Sequence, residues 1–161
     1  MSKLGWSNQA PNRPAVLVVD DEEGIRKLLT AILTENGYFT DSAKNGYEAI
    51  KKTDERFYEA AFIDIVLPDM NGVELLTRIR ETKPKMRKIV MTGNPSLQNA
   101  VEALNKGADA YIMKPLNIEK ILSTIKEQLE EQRKEWETAA EQFARGRLRG
   151  RIDTISKESS E

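Results

Sequence analysis

The chain has 161 residues, 39% of them apolar and 32% charged, with a formal net charge of −1. That length holds one domain with a sizeable core and a modest appendage, and the balanced charge marks neither a nucleic-acid nor a membrane binder. There is no cysteine and no histidine, which excludes disulfides, zinc–thiolate sites, Ser-His-Asp and Cys-His catalysis, and phosphohistidine chemistry on this chain.

Missing cysteine is compatible with a reducing cytoplasm. No apolar run approaches the ~20 residues of a membrane helix, so no membrane contact is expected. The first residues hold little apolar content and two prolines. Residues 1–13 therefore read as a flexible leader, neither signal peptide nor span.

From there, short apolar runs alternate with helical patterns. Ala15 to Val19 is continuously apolar, as in a strand buried on both faces. Ile25, Leu28, Leu29, Ile32 and Leu33 follow at helical spacing, stopped by Asn36-Gly37. Tyr38 to Ala43 predicts a weaker strand, and Asn45 to Asp54 a short helix with Ala49 and Ile50 inward. Ala60 to Asp64 is the next apolar run, followed by a turn cluster over Pro68 to Gly72. Val73, Leu75, Leu76 and Ile79 share a helical face that ends before Pro84. Lys88 to Thr92 predicts a fourth strand, Ser96 to Asn105 a helix, and Ala110 to Met113 a fifth strand stopped by Lys114-Pro115. Asn117 caps the last helix. Five strands alternating with five helices predict a doubly wound parallel α/β sheet with helices on both faces.

In such a sheet the ligand crevice lies off the carboxyl ends of the strands. The first strand ends in Asp20-Asp21, the third in Asp64 and the fourth in Thr92, and Lys114 follows the fifth. Three carboxylates, a hydroxyl and an ammonium thus converge on one edge. Clustered carboxylates repel unless a cation joins them, and magnesium favours a few carboxylates with waters and a phosphate oxygen. A carboxylate can attack phosphorus to give an aspartyl phosphate, with a cation, a lysine and a hydroxyl around the equatorial oxygens. Each residue also has a plainer role open to it. Asp20-Asp21 could cap the following helix; Asp64 could be structural, Thr92-Gly93 a turn, Lys114-Pro115 a strand stop and Tyr111 a packing residue.

Taken together, Val18-Val-Asp-Asp21, Phe62-Ile-Asp-Ile65 with Leu67-Pro-Asp-Met-Asn-Gly72, Met91-Thr-Gly93 and Tyr111-Ile-Met-Lys-Pro115 resemble the receiver domain of two-component response regulators. The resemblance covers about residues 14–130. It implies a flavodoxin-like, five-stranded sheet in the order 2-1-3-4-5, phosphorylation-dependent signalling in the cytoplasm, and Mg2+ as cofactor. The implied phosphoacceptor is Asp64. Its metal ligands would be Asp20, Asp21, Asp64 and the backbone carbonyl of Val66, with Asp21 the more direct of the pair. Lys114 would pair with phosphoryl oxygens, Thr92 would hydrogen-bond them, and Tyr111 would turn inward as Thr92 leaves its space. A cis bond before Pro115 would aim the lysine. The donor would be a sensor histidine kinase or a histidine phosphotransfer protein. The domain would not be an enzyme beyond catalysing its own phosphorylation and dephosphorylation. Phosphorylation would order the loop after Thr92 and reshape the face formed by the fourth helix, fifth strand and fifth helix. Val66 and Asn94 would flank the path of the attacking water.

The last helix of the domain carries Ile118, Ile121, Leu122, Ile125 and Leu129, an ordinary core face, and the helical pattern continues past the domain. Ile125, Leu129, Gln132, Trp136, Ala139 and Phe143 alternate in steps of four and three, and no Gly or Pro interrupts Asn117 to Ala144. Such a helix would be ~42 Å long. Ile125, Leu129, Trp136 and Phe143 are therefore expected to form a stripe for a homodimer or partner protein, the alternative being a helix folded back on its own domain. Residues 131–161 then form the helical extension and a flexible tail. The tail contains Arg145-Gly-Arg-Leu-Arg-Gly-Arg151, a cluster that can grip phosphates. Residues 131–161 hold seven basic and seven acidic side chains, and no reader motif is visible. A solvated tail is expected over a nucleic-acid-binding regulator. The other alternative, a small Asp-nucleophile metal-dependent phosphohydrolase, wants an acid two residues past Asp64, where Val66 stands.

Overall fold

The computed structural model of the protein describes residues 13–93 and 96–160. The leader expected over 1–13 lies, up to residue 12, outside these residues, as does Asn94. Ten elements alternate along the chain: β1 (Ala15–Val19), α1 (Glu23–Glu35), β2 (Phe39–Ala43), α2 (Gly46–Glu55), β3 (Ala60–Asp64), α3 (Gly72–Arg78), β4 (Arg87–Thr92), α4 (Leu97–Asn105), β5 (Ala110–Met113) and α5 (Ile118–Glu158). The strands form one parallel sheet in the order β2-β1-β3-β4-β5.

Successive side chains on a strand point to opposite faces, and in β1 and β3 both sets are apolar. Leu17, Val19, Ala61 and Ile63 pack with Ala49 of α2, Leu75 and Leu76 of α3 and Ala103 of α4. Val16, Val18, Phe62, Ile89 and Met91 pack with Leu29 and Leu33 of α1 and Ile121 and Ile125 of α5. The continuous apolar runs thus exist because the sheet has a core on each side. Leu28, which shares the helical spacing, instead faces solvent at 45% exposure.

The sheet places β1, β3 and β4 at its centre with their carboxyl ends level. Val19 lies beside Ile63, and Asp64 beside Met91, one residue before Thr92. Lys114 donates its backbone N–H to the Thr92 carbonyl (2.7 Å), which draws the end of β5 to the same edge. The Lys114–Pro115 bond is cis, as is Lys83–Pro84.

The last helix departs from expectation twice. Ile125 is fully buried and Leu129 packs against the same core, as expected of the domain's own helix face, so these two residues are not free to serve the expected stripe; Ile118, assigned to that core face, is instead 53% exposed. Spacing of three and four is common to a helix on a sheet and a helix on another helix, and the sheet has claimed this part. The seam then turns polar. Gln128 donates to the Asp109 carbonyl (3.4 Å), and Gln132 donates to the carbonyls of Glu59 (2.9 Å) and Lys85 (2.8 Å). Arg87 bridges Asp109 (3.2 Å) and Glu135 (2.6 Å). Second, no flexible tail begins near Arg145: α5 runs on to Glu158 with Gly146 and Gly150 inside it. Dense helix formers on either side carry the helix through glycines that cost about 1 kcal/mol each. No helix among the described residues is long and apolar enough to cross a membrane.

Candidate functional site

Asp20 follows β1 directly, and its N–H is held by the Ala43 carbonyl of β2's end (3.1 Å). Its carboxylate is fully buried. Oδ1 accepts the Glu22 amide (2.9 Å) and Oδ2 accepts Lys114 Nζ (2.9 Å). Glu22, not an aspartate, is the N-cap of α1 and makes no side-chain cap bond. Asp20 therefore serves both the loop and the site. Asp21, next along, is exposed at the edge. Asp64 ends β3 and is 4% exposed. Its Oδ1 accepts the Val66 amide (3.2 Å) and its Oδ2 accepts Lys114 Nζ (3.1 Å).

The electrostatics follow from that burial. Desolvation, with the nearby Asp20 charge, pushes the Asp64 carboxyl above its ordinary range, against the Val66 amide and Lys114. Burial pulls Lys114 down, but the Asp20 and Asp64 carboxylates outweigh it and hold the ammonium above its usual value. Lys114 is thus firmly charged, yet one cation faces three acids. Carboxylate oxygens from Asp20, Asp21 and Asp64 lie within 4.8 Å of one another. Oxygens bound to Mg2+ at about 2.1 Å sit about 3–4 Å apart around the ion, so these acids need move little to share one. The deficit of positive charge and the hard oxygen donors both fit a divalent cation. Val66 adds its backbone beside Asp64, and its side chain is 70% exposed.

Thr92 is buried at the end of β4. Tyr111 is half-buried against the α2–α3–α4 side of the core, and its hydroxyl is buried with no hydrogen-bond partner among the described residues. The structure thus brings Asp20, Asp21, Asp64 and Lys114 into one cluster, with Val66 and Thr92 bordering it. Trp136 and Phe143 lie far along α5 and take no part.

Three residues at this edge were assigned no role from the sequence. Arg26 of α1 donates to the Asp20 carbonyl (2.8 Å) and braces the acidic loop. Gly72 packs so closely on the Asp64 carbonyl that a Cβ would collide with it, and its N–H donates to the Ile65 carbonyl (2.7 Å). Asp69 reaches across to α2. Asp69 and Gly72 both sit in the turn cluster, a signal that could have been followed; Arg26 had none.

A parallel sheet whose carboxyl edge gathers buried acids around a lysine is the arrangement expected of a receiver domain. A family model, the response regulator receiver domain, matches residues 16–126, and the chain belongs to that family. It is 37% identical over 114 residues to the transcriptional regulatory protein ZraR of Klebsiella oxytoca, across 71% of this chain and 26% of ZraR. A CheY-like response regulator receiver domain protein from Methanospirillum hungatei JF-1 superposes with a TM-score of 0.73 at 44% identity, covering 77% of this chain and 99% of that one. The beryllofluoride-activated NtrC4 receiver domain dimer gives 0.69 at 45% identity, covering 73% and 98%. The chain spans from about a quarter to a half of the curated relatives it matches. Family membership favours neither the phosphohydrolase nor the nucleic-acid reading.

Proposed function

We propose that Asp64 accepts a phosphoryl group from the phosphohistidine of a sensor kinase or phosphotransfer protein in the cytoplasm. The observation that carries this is the pair of buried carboxylates, Asp20 and Asp64, joined by one lysine at the edge where strands deliver ligands. A carboxylate oxygen of Asp64 attacks phosphorus, the P–N bond breaks as the P–O bond forms, and the donor imidazole keeps the electron pair and takes a proton. Lys114 is already within hydrogen-bonding reach of Asp64 and follows the phosphoryl oxygens as charge spreads over them. Thr92 supplies a hydroxyl donor to the same oxygens. Asp20, Asp21, Asp64 and the Val66 carbonyl would hold Mg2+, which when bound screens the acids from the incoming phosphoryl group. The transfer, and the later hydrolysis by water, are catalysed by this site itself.

The response then passes to Tyr111. A buried hydroxyl without a partner costs about 1–3 kcal/mol, so the ring gains by moving once Thr92 turns to the phosphoryl group. The face formed by α4, β5 and α5 is reshaped with it. The output contact we assign to the free part of α5, where Trp136, Phe143, Leu148, Ile152 and Ile155 are 40–68% exposed. A homodimer or a partner helix would cover them. A monomer by light scattering, both with and without phosphorylation, would remove the homodimer.

The deciding experiment is intact-protein mass after incubation with acetyl phosphate and Mg2+, for the wild type and Asp64→Ala. One added phosphoryl group in the wild type alone is expected. No gain in either, with Mg2+ binding demonstrated, would end the phosphoacceptor reading.

A further inference from the structure

The loop from Ile65 to Asn71 carries the Val66 carbonyl and contains a single charged residue, Asp69. Asp69 points away from the acidic cluster. Its Oδ1 accepts the Gly46 amide and its Oδ2 the Tyr47 amide, each at 2.9 Å. These are the first two helical residues of α2, whose next free amide, on Glu48, is satisfied by the Asn45 side chain (2.8 Å). Asn45 lies on the helix's own chain; Asp69 comes from 22 and 23 residues away. A carboxylate at a helix N-terminus gains from both the free amides and the aligned peptide dipoles.

Met70 seconds this tie. It lies where Gly46 lacks a Cβ, and any side chain there would strike its Cγ and sulfur. At its far end the loop is pinned by Gly72 on Asp64 and by the bridge between Val66 and Asn71. Leu67 and Met70 anchor the loop in the core below, and Asp69 is its charged tie to α2.

We propose that Asp69 is a positioning residue: by clamping the loop onto α2 it fixes the Val66 carbonyl and so sets the affinity of the site for Mg2+. The inference rests on the reading of Val66 as a metal ligand. Loss of a residue that orients a ligand weakens metal binding by ten- to a hundredfold in general; for an exposed clamp the low end applies, about tenfold.

The test is isothermal titration calorimetry with Mg2+ on the full chain, for the wild type, Asp69→Ala, Asp69→Asn and Asn45→Ala. Asn45→Ala removes an equivalent cap from the same helix without touching the loop. Both alanine variants should melt lower than the wild type by similar amounts. Only Asp69→Ala should weaken Mg2+ binding about tenfold, and Asp69→Asn, which keeps one acceptor oxygen, should fall between. Amide exchange at Gly46 and Tyr47 should speed up in Asp69→Ala. Binding in Asp69→Ala within twofold of wild type, or equal weakening in Asn45→Ala, overturns the inference while leaving the site reading intact. A wild type that binds no Mg2+ overturns both.

Discussion

Lys114 offers the sharpest test of the site's electrostatics. Its ammonium lies 2.9 Å from Asp20 and 3.1 Å from Asp64, whose side chains are 0% and 6% exposed. Lys114→Met keeps most of the apolar stem and removes the charge. Two buried carboxylates are then left facing each other. Removing one partner of a buried ion pair costs about 3–5 kcal/mol. Lys114 retains 16% exposure, and one acid can take up a proton, so the lower figure of about 3 kcal/mol applies. For a chain of this size each kcal/mol moves the melting temperature by about 2–4 °C. Calorimetry in EDTA should therefore show Lys114→Met melting about 6–12 °C below wild type. Saturating Mg2+ supplies the missing charge. At a hundredfold over Kd it contributes about 2.7 kcal/mol, more in the variant, where no lysine competes for the acids. The gap should then shrink to less than half. A variant melting within about 1 °C of wild type in EDTA, or equal shifts with Mg2+ in both proteins, would refute the argument.

Asp64→Asn should be more stable than wild type in EDTA at neutral pH. A carboxyl raised above its ordinary value of 3.8 contributes stability that is full below its unfolded pKa and is lost as pH rises through the folded value. The advantage of the asparagine should therefore close as pH falls toward about 4; urea titrations that show it widening would contradict the burial argument. Val66→Asn, two residues from Asp64 and 70% exposed, replaces an apolar side chain with one that can orient water. Loss of the phosphoryl group, followed by intact mass, should quicken by about tenfold, or ~1.4 kcal/mol of barrier, and an unchanged or slower rate counts against it. Gln132→Ala removes two hydrogen bonds to backbone carbonyls and should cost about 2 kcal/mol. Phe143→Ala, 68% exposed, should change thermal stability by under about 0.5 kcal/mol; equal effects would mean that α5 is not latched at Gln132.

The acidic edge was readable in the sequence because its logic is local and periodic. Apolar runs of five residues between helical patterns dictate strands, and parallel connections bring every strand's carboxyl end to one side. Asp20, Asp64 and Lys114 were brought to one edge once β1, β3 and β5 were placed. On α5 the same period served two readings at once: Ile125 and Leu129 are core, as the domain's own helix face required, while Gln132, a polar interruption of the expected stripe, is buried against the domain. A residue's spacing says which face of a helix it occupies but not what covers that face.

The sequence alone therefore determined the element order, the two-sided core and the acids and lysine at the edge, since each follows from hydrophobic period and turn chemistry within a short stretch. Only the tertiary structure decided which groups Lys114 pairs with, that Asp69 clamps α2, and that Gln132 and Glu135 hold the last helix against β3 and β4. Those contacts join residues from 22 to 94 positions apart. A hydrogen bond between distant side chains has no period for a sequence to display, and its partners become neighbours only when the sheet has closed.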